Sequence, residues 1–156
     1  MDKLSGDGAF PVNDLYSFLE GNWQLSRTIN DLRQNMPGAM AATASIAKQN
    51  ENENVRDLCY REEGELHFGD YKEVVYRSYI FRFLEPQKAQ VHFDDGRLFH
   101  ELDLTSGYCE AEHLCGDDIY RGRFRIENRD TWLSNWIVTG PSKELILDNR
   151  YQRMSA

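Results

Sequence analysis

From Trp23 onward the apolar positions recur every second residue, and turn-forming residues interrupt the pattern at short intervals. Trp23, Leu25, Arg27 and Ile29 share one face of the first such segment, because successive side chains of an extended chain point to opposite sides. Pro37-Gly38 then reads as a turn. Ala39 to Ala47 reads as a strand despite its alanines, since Thr43, Ser45 and Ile46 weaken a helix, and Lys48 to Asn54 as a polar loop. Further strands are expected at 55–63, 71–84, 89–93, 97–104, 108–114, 119–127, 131–139 and 143–153. The breaks between them carry turn chemistry, as in Gly69-Asp70, Asp94-Asp95-Gly96, Ser106-Gly107, Gly116-Asp117-Asp118 and Gly140-Pro141. So many strands with no intervening helix must close on themselves or split into two layers to bury an apolar face. The expected fold is all-β, a single antiparallel up-and-down β-barrel of roughly 8–10 strands.

Ahead of the strands, Asn13 or Asp14 can cap a short helix in which Leu15, Phe18 and Leu19 share a face and which Gly21 stops. A helix this short needs tertiary support, so it is expected to plug one end of the barrel. Residues 1–10, rich in Gly and Asp, read as a flexible tail, and residues 11–156 as the barrel domain. A chain of 156 residues fits one such domain.

Charge narrows the partners. With 26 acidic against 18 basic residues the net charge is −8, which disfavours a nucleic-acid partner, because phosphate binding draws on clustered Lys and Arg. Arg121, Arg123 and Arg125 alternate along one strand and read as a solvated outer face. No apolar leader opens the chain and nowhere do 18 apolar residues run together, so the expectation is a cytoplasmic protein with no membrane partner. The three cysteines are expected as free thiols: Cys109 and Cys115 on one strand would lie about 20 Å apart at ~3.3 Å per residue, far outside disulfide reach. The composition leaves room for a homodimer.

Gly21-Asn22-Trp23 at the start of the first strand and Arg153 near the end of the last resemble the structural signature of the calycin superfamily, the lipocalins and fatty-acid-binding proteins. That resemblance implies a barrel end closed by Trp23 packing under Arg153, with Arg150 as the rival, a cation–π contact worth up to about 2 kcal/mol. The wider set is similar to an uncharacterised lipocalin-like family of bacteria and fungi, a domain of unknown function, over about residues 15–153. It comprises Phe18 to Trp23 with Arg27, Asp95 to His100, His113 to Tyr120 and Trp136 to Lys143. A neighbouring barrel family, the nitrobindins, holds haem through a late histidine. Here Gln24-Leu25-Ser26 replaces the glycine-rich run of that family and no histidine follows His113, so a haem would have to use His100 or His113.

Candidate chemistry centres on those two histidines. A hairpin centred on Ser106 and Gly107 would set His100 directly opposite His113, on an inward face with Leu98, Leu102, Ala111 and Cys115. Inward imidazoles need partners, and Asp95, Asp117, Tyr120 and Tyr60 are the candidates. Three readings stand side by side: satisfied polar residues of a partly wet barrel; a metal such as zinc, bound with Cys115 or Asp117; or recognition of a ligand, including acid–base work by the pair. Arg27 either pairs with an acid such as Glu62 or holds an anion. The favoured function is a barrel binding a small, partly apolar, anionic molecule through Arg27, Tyr60, Glu62, His100, His113 and Tyr120, with no bound cofactor required. The rivals are an isomerase, cyclase or hydrolase using His100 and His113, and a non-catalytic protein-interaction module with a filled core.

Overall fold

The computed structural model describes residues 4–51 and 55–155. Helix α1 (Leu15–Leu19) precedes ten strands: β1 (Gly21–Asp31), β2 (Met36–Glu51), β3 (Arg56–Phe68), β4 (Tyr71–Glu85), β5 (Lys88–Phe93), β6 (Leu98–Asp103), β7 (Tyr108–Cys115), β8 (Asp118–Asn128), β9 (Thr131–Thr139) and β10 (Glu144–Arg153). They form one antiparallel sheet in the order β6-β5-β4-β3-β2-β1-β10-β9-β8-β7. The first and last strands pair over most of their length, from Trp23 opposite Arg153 to Asp31 opposite Leu145. The sheet thus curls into a nearly closed barrel whose two edges, β6 and β7, come together without a ladder between them.

Alternation puts Trp23, Leu25 and Arg27 inside along β1, as period-two patterning requires. One end of the barrel is packed shut. Asp14 caps α1 by accepting from the Ser17 amide at 3.1 Å, and Leu15, Tyr16 and Leu19 are buried under the barrel. The Trp23 indole donates to the Leu19 carbonyl at 2.9 Å. The Arg153 guanidinium lies 4.3 Å over the Trp23 ring and 5.3 Å over that of Phe18, while its NH2 donates to the Phe18 carbonyl at 3.0 Å and the Arg129 carbonyl at 2.8 Å. Arg150 takes no part in this clasp, because it stands one residue out of phase and faces outward.

Two expectations about β2 need correction. The turn after β1 is Leu32–Asn35, not Pro37-Gly38. Asn35 adopts φ 50° and the Asp31 carboxylate accepts from the Arg33 and Gln34 amides, each at 3.1 Å. Pro37 pairs with Asn30 on β1, and the β3 ladder begins only at Gly38 opposite Phe68, so on that side no partner asks Pro37 for an N–H. Gly38 is required by packing, since a Cβ there would stand 2.5 Å from the Phe68 ring. The loop expected at Lys48 to Asn54 is strand as far as Glu51, and residues 52–54 lie outside the described residues.

β3 and β4 run past the expected end at Glu63 and form a long hairpin that overreaches β5, whose ladder with β4 begins at Tyr79. Residues 4–10, read from composition as a tail, lie along β7 and β8: the Phe10 amide donates to the Ile126 carbonyl at 2.8 Å, and Arg125 donates to the carbonyls of Ser5 and Asp7. Met1 to Lys3 lie outside the described residues. Among the described residues no helix is long and apolar enough to cross a membrane.

Candidate functional site

The barrel encloses a cavity of about 530 Å³ that opens at the end opposite α1. A hollow of this size overturns the filled-core alternative. All six residues expected to contact a ligand, Arg27, Tyr60, Glu62, His100, His113 and Tyr120, line it.

Its floor is a hydrogen-bonded chain. Arg27 meets Glu62 through two parallel bonds, NH1 to Oε2 at 2.8 Å and NH2 to Oε1 at 3.0 Å, the fork geometry that suits a guanidinium and a carboxylate. Arg27 Nε donates to Asn149 Oδ1, and Asn149 Nδ2 donates onward to Ser134 Oγ at 3.0 Å. The Tyr60 hydroxyl donates to Glu62 Oε1 at 2.7 Å and lies 2.7 Å from the Tyr151 hydroxyl. Burial works against both charges, lowering the Arg27 pKa and raising that of Glu62, but their mutual hydrogen bonds and attraction prevail: Arg27 ends above its ordinary value and Glu62 below. Burial raises the Tyr60 hydroxyl well above its usual range and pushes Tyr151 up to about 12, so both stay protonated. Of the two roles expected for Arg27, the structure shows the pairing with Glu62.

The side wall is built differently. His92 pairs with Leu98 but Val91 pairs with His100, a one-residue slip that leaves Phe99 as a bulge. Phe99 and His100, adjacent in sequence, consequently both line the cavity, while Leu98, expected inside, is 48% exposed. His100 stacks on Phe124 with ring centres 5.2 Å apart and meets Trp136 edge-on at 5.3 Å. Trp136 lies over Gly122, where a Cβ would come within 2.7 Å of the indole, and stacks on Phe99 at 5.1 Å.

The two histidines are not a directly opposed pair. β6 and β7 are the sheet edges, and the Phe99 ring contacts both imidazoles, His100 at 4.8 Å and His113 at 5.1 Å, while no ring contact joins them to each other. Rings rather than backbone bonds bridge this seam. His100 has none of the expected side-chain partners; its Nδ1 is 2.9 Å from the Glu101 carbonyl oxygen. Burial pushes it down to about 4, against that hydrogen bond, and nearby His113 adds to the fall. His113 touches Phe93, Phe99 and Tyr120 by ring contacts and makes no hydrogen bond among the described residues. Cys115, expected on the inward face, lines the cavity but is exposed, whereas Cys109 is half-buried and raised to about 12 by burial. Among the described residues no three His, Cys, Asp or Glu side chains gather as a metal cluster.

Sequence reasoning missed Arg77, which lines the cavity directly across the ladder from Glu62 and has no ion pair with a carboxylate among the described residues. Its parity with Tyr79 was the available signal. At the rim, Arg97 lies 5.3 Å over Phe93 and 2.8 Å from Asp95. Asn149 and Tyr151, in phase with Arg153 on β10, were also legible by parity and complete the floor.

A family model described as a family of unknown function, DUF6314, matches residues 19–153. The fold is similar to that of the S-type phycobiliprotein lyase CPES from Guillardia theta, at TM-score 0.70 and 13% identity over 96% of both chains. It is also similar to a protein of unknown function from the DUF3598 family of Nostoc punctiforme, at TM-score 0.60 and 10% identity; there the match covers 94% of this chain and 51% of the other. No curated protein matches.

Proposed function

We propose, for a chain that belongs to the DUF6314 family, that the barrel binds one small molecule with a planar apolar body and an anionic group. The carrying observation is the division of labour in the cavity wall: Phe93, Phe99, Phe124 and Trp136 form an aromatic surface, and Arg77 brings a positive charge that forms no salt bridge among the described residues, its neighbour Glu62 being gripped by Arg27. The volume of about 530 Å³ falls in the range of small-molecule sites, and the lining joins aromatic rings to charged and hydrogen-bonding side chains. The likeness to a phycobiliprotein lyase supports the same reading at the level of architecture. The acid–base enzyme reading rested on two imidazoles face to face and loses that support with Phe99 between them.

Native mass spectrometry of freshly purified protein, with titration of 8-anilinonaphthalene-1-sulfonate followed by tryptophan quenching, tests this. The expected result is a co-purified mass or saturable binding of one dye per chain, weakened when Trp136 is replaced by Ala. No saturable binding, or binding indifferent to Trp136→Ala, overturns it.

A further inference from the structure

The side wall also dictates a feature of the bound molecule, given the binding role just proposed. A backbone carbonyl only accepts hydrogen bonds, so the nitrogen facing the Glu101 oxygen at 2.9 Å must carry the imidazole proton. A neutral imidazole has a single N–H, and the proton on Nδ1 leaves Nε2 with a lone pair. The ring is held in this orientation, with Phe124 on one face and Trp136 and Phe99 against its edges. With Nδ1 tied to the backbone of its own strand, the distal Nε2 is the nitrogen left to the lumen that His100 lines. Burial keeps the imidazole neutral at physiological pH, so it does not revert to a double donor.

We infer that His100 is a specificity residue: the molecule held in the cavity bears an N–H or O–H group on its apolar body and donates it to His100 Nε2. Arg77 and His100 then read opposite chemistries, since the guanidinium can only donate and the distal imidazole nitrogen can only accept. An anion without a donor on its body fills the same space and leaves the buried acceptor unpaired, the kind of mismatch that sites discriminate against most strongly.

A matched pair of probes tests this, 6-hydroxynaphthalene-2-sulfonate and its methyl ether, titrated at pH 7.5 against the wild type, His100→Gln and His100→Phe. The wild type is expected to prefer the hydroxyl probe by about tenfold. His100→Gln, whose amide oxygen can accept, should retain part of that preference, and His100→Phe should bind both probes equally. A long-range 1H–15N spectrum of the free protein should show the His100 proton on Nδ1. Equal binding of the two probes by the wild type, a preference that survives in His100→Phe, or a proton on Nε2 overturns the inference and leaves the binding role standing. Failure of the wild type to bind either probe overturns both.

Discussion

Arg27 and His100 are equally hidden, at 8% and 7% exposure, yet the barrel treats their charge in opposite ways. On the floor, Arg27 stays ionised because Glu62 grips it at two points and Asn149, Ser134, Tyr60 and Tyr151 take up the remaining bonds. On the wall, His100 stays neutral because only a backbone carbonyl and aromatic rings surround it. The difference teaches where the interior is finished by its own residues and where, on the binding role proposed above, it leaves room for another molecule: a closed network holds the fold, and the open ring nitrogen is the proposed recognition point.

The largest test is to break the floor from one side. Replacing Arg27 by Met strands the Glu62 carboxylate in the interior and should cost about 3–5 kcal/mol in urea unfolding, whereas Arg27→Met with Glu62→Leu should recover most of it. A single variant as stable as the double would show that the floor is not electrostatically closed.

Acid separates the two regions next. His100 in the folded chain titrates near 4 against an ordinary 6.5, so between those values the unfolded chain takes up a proton that the folded one refuses. Stability therefore rises with pH across that window and is level above it. Between pH 7.5 and pH 5 the His100 contribution should fall by about 2 kcal/mol, a loss that His100→Gln abolishes. Glu62, with a folded pKa below its ordinary 4.5, stabilises above that value and loses its contribution only as pH drops further, so its effect lies lower on the scale. An identical pH profile for wild type and His100→Gln would refute the assignment.

Arg77→Gln should weaken naphthalene sulfonate binding about tenfold while leaving the melting temperature nearly unchanged, because no salt bridge is lost and Arg27 still grips Glu62. A comparable loss of stability would place Arg77 with the floor instead. The smallest effect sharpens the contrast: Arg121 and Glu112 form an Arg–Glu pair at 3.2 Å with both side chains more than half exposed, and Arg121→Gln should change stability by less than about 1 kcal/mol.

Much of this was legible in the chain, and the exceptions have physical causes. Alternation and turn residues located the strands because a half-buried sheet permits no other spacing, and parity brought Trp23, Arg27, Glu62 and Tyr60 inside. The bulge at Phe99 defeated parity by turning two adjacent side chains inward, and the missing ladder between β6 and β7 removed the expected alignment of His100 with His113. Pro37-Gly38 carries the same letters as a turn but serves a strand end and a close approach to Phe68. The place of Arg77 was hidden because pairing depends on reach: Arg27 and Arg77 both neighbour Glu62, and only Arg27 forms a salt bridge with it.

The seam between β6 and β7 gives the barrel an uneven resistance to opening. Parting any other neighbouring strands severs a row of amide bonds, while parting these two separates ring contacts such as the edge-on one between Phe99 and His113. Thermal breathing will concentrate there, and backbone protons along that unlaced border should exchange into deuterated solvent well before those of β1 and β10, which are laced on both flanks.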